Sequence, residues 1–154
     1  MSLAFDHVNI VVTDMARSVA FYEELLGLRR GFEIVLEGAW IDRVTGIDKA
    51  RAHCVFMEAD NAAVRLELLQ YLSPTGAPLP ANSQPYMPGL RHLAFTVNDL
   101  DALVTRLREA NVALVSDPVE VPFAVSSLGR KRLCYFYDPD GTLLEAAAYD
   151  LIEQ

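Results

Sequence analysis

Asp6-His7-Val8-Asn9-Ile10-Val11-Val12-Thr13-Asp14 and Arg91-His92-Leu93-Ala94-Phe95-Thr96-Val97-Asn98-Asp99 run in step along the chain, at an offset of 85 residues. In each stretch a histidine opens an apolar run of strand character. Seven residues later an aspartate stands where its carboxylate can accept the first free N–H groups of a helix. Each stretch reads as a strand feeding a helix, and the chain as two halves built on one plan.

Working outward, the first helix is expected over about residues 14–26, with Met15, Val19, Tyr22 and Leu26 on one stripe. Gly27 follows, the residue that most readily takes the left-handed conformation that ends a helix. The second is expected over about residues 99–110, with Leu100, Leu103, Val104 and Leu107 on its stripe and Asn111 after it. Both are short amphipathic helices packing on a sheet. More strands follow each helix, and the last two of each half read as a hairpin. These are 52–59 with 63–72 around Asp60-Asn61, and 133–137 with 142–149 around Asp138-Pro139-Asp140-Gly141. In the latter turn proline sets φ and glycine supplies the positive φ that follows.

Leu66-Glu67 matches Leu144-Glu145 and Tyr71 matches Tyr149, at an offset of 78. Each half is therefore βαβββ, and the fold class is α+β. The modules span 1–72 and 90–150 of one 154-residue domain, joined by a linker over 73–89 that holds five prolines and two glycines.

With 52% hydrophobic and 22% charged residues, nearly all of the chain has the material to fold. No apolar run approaches the roughly 20 residues needed to cross a bilayer, and no leader pattern opens the chain, so a cytoplasmic location is expected. A formal net charge of −8 repels phosphate backbones and anionic lipid heads, which argues against nucleic-acid and membrane partners and leaves a small molecule. Cys54 and Cys134 lie in strand-like apolar stretches as small core residues, with no disulfide framework.

If the halves fold alike, His7 and His92 occupy equivalent places on their first strands, and Glu67 and Glu145 on their last. Each glutamate interrupts a run that otherwise wants burial, Val64-Arg65-Leu66-Glu67-Leu68-Leu69 and Thr142-Leu143-Leu144-Glu145-Ala146-Ala147. A buried carboxylate costs several kcal/mol unless protonated, paired or bound to a cation, and a metal is the simplest compensation. Two neutral imidazoles and two carboxylates balance a divalent ion, and suit Zn²⁺, Ni²⁺, Co²⁺, Mn²⁺ or Fe²⁺. Four protein ligands leave octahedral positions open for water or a chelating substrate. A lone histidine on an apolar strand is more often a satisfied core or edge residue, and a lone strand glutamate usually faces solvent. Recurrence in both halves sets these four apart, whereas His53 has no counterpart.

These motifs, together with Ser18-Val19-Ala20-Phe21-Tyr22-Glu23-Glu24-Leu25-Leu26-Gly27, Gly89-Leu90-Arg91-His92 and Phe136-Tyr137-Asp138-Pro139-Asp140-Gly141-Thr142-Leu143-Leu144-Glu145, resemble the vicinal oxygen chelate superfamily over essentially the whole chain. That superfamily includes glyoxalase I, methylmalonyl-CoA epimerase, extradiol dioxygenases, and fosfomycin and bleomycin resistance proteins. The resemblance implies paired modules forming a cupped eight-stranded mixed sheet with helices on the outer face. It further implies a metal held by His7, Glu67, His92 and Glu145, and a homodimer whose cleft is intrachain or shared. The motifs are specific for the fold and not for the reaction.

The His-Glu-His-Glu set is similar to glyoxalase I, a lyase or isomerase activity in which a ligand glutamate, here Glu67 or Glu145, shuttles a proton next to a carbonyl. Methylmalonyl-CoA epimerase is the competing reading, although it usually carries glutamine where Glu67 stands. Extradiol dioxygenases use two histidines and one glutamate on Fe²⁺, and a metal-free small-molecule binding or resistance protein is a different class again. Strand alternation places Asn9, Arg65, Leu69, Tyr71, Thr96, Leu143 and Tyr149 on the ligand faces as candidate substrate contacts. Arg65 is a partner for a substrate carboxylate or for a nearby acid. Arg130-Lys131-Arg132 reads as a solvated rim or an anion-greeting patch, and Trp40 and Tyr86 as loop residues at the cleft.

Overall fold

In the computed structural model, which describes residues 3–60, 62–78, 85–125 and 128–150, the two aspartates expected to start helices cap them. Asp14 and Asp99 are both extended in backbone, and their carboxylates accept from Arg17 N at 3.0 Å and Ala102 N at 2.8 Å. The chain divides into two compact units, Met1–Pro78 and Leu79–Gln154. Asn61 of the first expected turn and residues 79–84 of the expected linker lie outside the described residues.

The first unit runs β1 (His7–Val11), α1 (Met15–Ala20), a π-helical turn (Phe21–Leu25), β2 (Arg29–Glu37), α2 (Ala39–Thr45), β3 (Arg51–Glu58) and β4 (Arg65–Ser73). The second runs β5 (His92–Thr96), α3 (Leu100–Glu109), β6 (Val119–Ala124), β7 (Arg130–Tyr137) and β8 (Leu143–Asp150). Each unit forms a four-stranded mixed sheet of the same topology, β1-β4-β3-β2 and β5-β8-β7-β6. In each the first strand lies parallel to the last and the other pairings are antiparallel.

One apolar face of each sheet meets a helix. In the first unit Leu66, Leu68, Val55 and Met57 are buried, as are Met15, Val19 and Tyr22 from the helix. Gln70 ties β4 to the helix start, its Oε1 accepting from Met15 N at 3.1 Å and its Nε2 donating to Thr13 O at 3.0 Å. In the second unit all four stripe residues, Leu100, Leu103, Val104 and Leu107, are buried, together with Cys134, Phe136, Leu144 and Ala146. Arg132 reaches from β7 to Asp101 with two bonds of 2.9 Å.

Two features differ from the sequence expectation. The first helix closes as a π turn, which lets the adjacent rings of Phe21 and Tyr22 both bury, edge to face at 5.2 Å, while Leu26 is only half-buried. Helix α2 also interrupts the first unit, and it places Trp40 on a helix rather than in a loop. Tyr86 does lie in a turn and is exposed. The hairpin turn at Asp138 matches its expected chemistry. Asp138 is buried and its Oδ1 accepts from Asp140 N at 3.0 Å and Thr142 N at 2.7 Å, with Gly141 at φ 86°. Among the described residues, no helix is long and apolar enough to cross a membrane.

Candidate metal centre

The parallel pairing of first and last strands sets one geometry twice. In the first unit His7 lies opposite Arg65 and Asn9 opposite Glu67; in the second His92 lies opposite Leu143 and Ala94 opposite Glu145. Side chains two residues apart share a face, so each histidine meets the glutamate on the diagonal. His7 Nε2 stands 3.5 Å from Glu67 Oε2, and His92 Nε2 stands 3.3 Å from Glu145 Oε2. Two half-sites of identical donor type result, one per unit. Among the described residues, no group of three or more His, Cys, Asp or Glu side chains is gathered closely enough to hold a metal ion.

The surroundings of the two pairs differ. Glu67 accepts from Asn9 Nδ2 at 2.8 Å on the oxygen facing His7 and from Cys54 Sγ at 3.3 Å on the other. Burial, then the bond to Glu67, pushes the Cys54 thiol up to about 12, so it stays protonated as a donor. His7 Nδ1 lies 2.7 Å from Asp6 Oδ2, an arrangement that leaves Nε2 turned to Glu67. Hydrogen bonds from His7 and then Arg65 hold the Asp6 carboxyl below the usual range.

Glu145 is the more deeply buried carboxylate, its side chain 5% exposed against 15% for Glu67. Lys131 Nζ sits 2.5 Å from its Oε1, and that bond holds the ammonium above its usual pKa. Tyr135 packs its ring 5.2 Å from His92 and lies opposite Glu145 across the β7–β8 pairing. Burial, followed by the Glu145 charge, raises its hydroxyl pKa.

The expected substrate contacts are distributed around these pairs. Asn9 bonds Glu67 directly. Arg65 donates to Asp6 Oδ1 at 2.8 Å and lies over the Phe56 ring at 4.5 Å, so it is engaged by a neighbouring acid. Tyr71 packs with Leu36 and Phe56 against the buried cluster of Ala52, Cys54 and Leu69, an apolar floor on the face that carries Glu67. Thr96 is exposed on β5 opposite Ala147, Leu143 is buried opposite His92, and Tyr149 lies opposite Lys131. His53 pairs with Glu33 at 2.7 Å, a structural role.

Five residues beyond the expected set thus touch the pairs: Asp6, Cys54, Lys131, Tyr135 and Phe56, whose ring lies edge-on to His7 at 5.6 Å. Arg130-Lys131-Arg132 is not a uniform rim. Alternation along β7 sends Lys131 to Glu145, while Arg132 goes to Asp101 and Arg130 lies 3.6 Å from Glu120. The signal was present in the second hairpin, whose turn puts Tyr137 opposite Leu143 and hence Tyr135 opposite Glu145 and Lys131 opposite Tyr149.

Known proteins resemble this chain in sequence and fold. The chain is 35% identical over 139 residues to the protein YaeR of Escherichia coli (strain K12), covering 90% of this chain and 91% of that one. It is 30% identical over 148 residues to a 2-epi-5-epi-valiolone epimerase from Actinomyces sp, covering 94% and 78% respectively. A crystal structure of a glyoxalase family protein from Bacillus cereus superposes with a TM-score of 0.85 at 29% identity, covering 97% of this chain and 95% of that one. The family model of the glyoxalase/bleomycin resistance protein/dioxygenase superfamily matches residues 4–146, and the chain belongs to that superfamily.

Proposed function

We propose that the protein is a divalent-metal-dependent enzyme of the lyase or isomerase type that moves a proton on a carbon next to a carbonyl, with His7, Glu67, His92 and Glu145 as ligands of one ion. The observation that carries this reading is the repeated diagonal pair, a histidine Nε2 at 3.5 Å and 3.3 Å from a glutamate Oε2. Superfamily members typically bind a divalent metal, and the donors here fit one. Two imidazoles and two carboxylates suit Zn²⁺, Ni²⁺, Co²⁺, Mn²⁺ or Fe²⁺, and the protonated Cys54 adds no thiolate. An ion bound there supplies Lewis acidity toward a substrate carbonyl oxygen.

The chain's own residues supply the rest. Glu145 or Glu67 accepts the proton from the carbon and returns it, general acid–base work of a kind worth roughly 10²–10⁴ in rate. The apolar floor of Ala52, Cys54, Leu69 and Tyr71 lies on the face that carries Glu67 and limits water around that carboxylate. Asn9, Arg65, Tyr71 and Thr96 would bind the substrate, Asn9 by its amide and Tyr71 by its ring.

A glyoxalase I-like reaction on a glutathione hemithioacetal is the first reading, since both glutamates are in place. A methylmalonyl-CoA epimerase-like reaction is the second, supported by the 30% identity to an epimerase, a class that removes and returns a proton at one carbon. An iron-dependent dioxygenase and a non-catalytic binder rank below these. The reading includes cytoplasmic, homodimeric operation on a small molecule, with modules 1–72 and 90–150 acting as one domain. The dimer rests on the family likeness, and the modules on the internal repeat.

The test is an assay of metal-reconstituted protein in deuterated water with methylglyoxal plus glutathione, beside methylmalonyl-CoA. Deuterium at the carbon next to the carbonyl in either product supports the reading. Metal uptake with neither turnover nor exchange in any carbonyl substrate sinks proton transfer, and absence of metal uptake leaves the binder.

A further inference from the structure

We infer that Lys131 is a positioning residue that keeps Glu145 a dissociable ligand and so makes Glu145, rather than Glu67, the carboxylate that moves the proton; this rests on the metal reading above. The two oxygens of Glu145 face different partners. Oε2 faces His92 Nε2 at 3.3 Å, and Oε1 holds Lys131 Nζ at 2.5 Å. Lys131 is largely enclosed, its side chain 18% exposed, with its ammonium 5.8 Å from the Tyr149 ring centroid.

The first unit has no such cation at the matching place. Lys131 lies opposite Tyr149 in β8, and the residue opposite Tyr71 in β4 is Ala52. Glu67 is held by an amide and a thiol, which leave its full negative charge for an ion. Glu145 shares its charge with an ammonium, which weakens it as a donor to a second cation. When Glu145 leaves the ion to take a proton from carbon, it is not stranded in an apolar setting, because Lys131 already holds its other oxygen. Lys131 also gives a site of two carboxylates and one divalent ion a surplus positive charge, which favours a substrate that becomes anionic as it reacts.

The test is calorimetric titration of the full-length, metal-stripped protein with Ni²⁺, comparing wild type with Lys131→Met, Lys131→Arg, Glu145→Gln and the Lys131→Met/Glu145→Gln double variant. Lys131→Met should bind Ni²⁺ about tenfold more tightly, because a positive charge beside the ion is gone, while losing kcat more than KM. Lys131→Arg should stay close to wild type, and the gain should vanish when Glu145 is already glutamine. Lys131→Gln serves in place of the methionine variant if circular dichroism shows that the latter has lost its fold. Unchanged or weaker Ni²⁺ binding in Lys131→Met overturns the inference, as does a gain that persists without the Glu145 carboxylate. A wild type that binds no Ni²⁺, Zn²⁺ or Mn²⁺ fails the metal reading itself, and this inference with it. A metal-binding wild type with an indifferent Lys131→Met fails the inference alone.

Discussion

In the first unit Glu67 accepts from an amide and a thiol, Asn9 Nδ2 at 2.8 Å and Cys54 Sγ at 3.3 Å; in the second Glu145 holds an ammonium, Lys131 Nζ at 2.5 Å. The strand register that builds the two pairs is the same, so the difference lies in the neighbours: Asn9 of β1 has Ala94 as its counterpart on β5, and β3 and β7 present a thiol and an ammonium respectively. A carboxylate with neutral donors keeps its charge and suits a fixed ligand. One that already has a cation can exchange partners at small cost, as a mobile base must. On the proposed reading, the repeated module supplies the donors, and the differing neighbours on β1 and β5 and on β3 and β7 would give the two glutamates separate tasks.

The largest expected effect separates the two glutamates. Glu145→Gln should cut solvent-deuterium exchange into substrate by at least roughly a hundredfold with the circular dichroism spectrum unchanged. Glu67→Gln should chiefly weaken metal binding, with turnover recovering as metal is added. Equal, metal-insensitive losses in both would erase the distinction between the half-sites.

Next comes the support behind the first imidazole. Asp6 Oδ2 lies 2.7 Å from His7 Nδ1, whereas Arg91 stands at the corresponding place before His92. Asp6→Asn should lower metal affinity about tenfold by loosening the ring orientation, read by competition with a chelating dye. Unchanged affinity would mean that the ring is held without Asp6.

Smaller again is the effect of the turn that sets the register of β7 on β8. Gly141 has φ 86°, so Gly141→Ala should cost roughly 1–2 kcal/mol in urea unfolding. It should also disturb the Lys131–Glu145 contact more than anything in the first unit.

The smallest is the Arg132–Asp101 tie between β7 and α3, which has both partners at the surface. The hydrogen bonds from Arg132 hold the Asp101 carboxyl below its usual 3.8. A carboxyl depressed on folding stabilises the protein above its unfolded-state pKa, and that contribution is lost as pH falls through the folded one. Asp101→Asn should therefore lower Tm slightly at pH 7, and the gap from wild type should close below about pH 4. A gap that persists in acid would assign the loss to packing instead.

Much of this was legible along the chain because it is local or repeated. Asp14 and Asp99 announce their helices by the same cap, Asp138 and Gly141 demand their turn, and His7 and His92 are visible as a pair only through duplication. Helix α2 was not legible. It spans seven residues, Ala39–Thr45, too few to establish a period, and its N-cap, Gly38, offers no side-chain oxygen. The π turn follows from two neighbouring aromatics competing for one buried face, a tertiary effect. Lys131 was hidden among three consecutive basic residues that read as a charged rim until strand alternation sends each to a different partner. Cys54 reads as an ordinary core residue, and its bond to Glu67 follows only from the register of β3 on β4.

The most direct measurement is metal stoichiometry. Elemental analysis of the reconstituted, dialysed protein should find one divalent ion per chain, and either His7→Ala or His92→Ala should reduce it to near zero, because neither pair suffices alone. Two ions per chain, or one unit's pair retaining its metal after the other's histidine is removed, would contradict a single centre built from both.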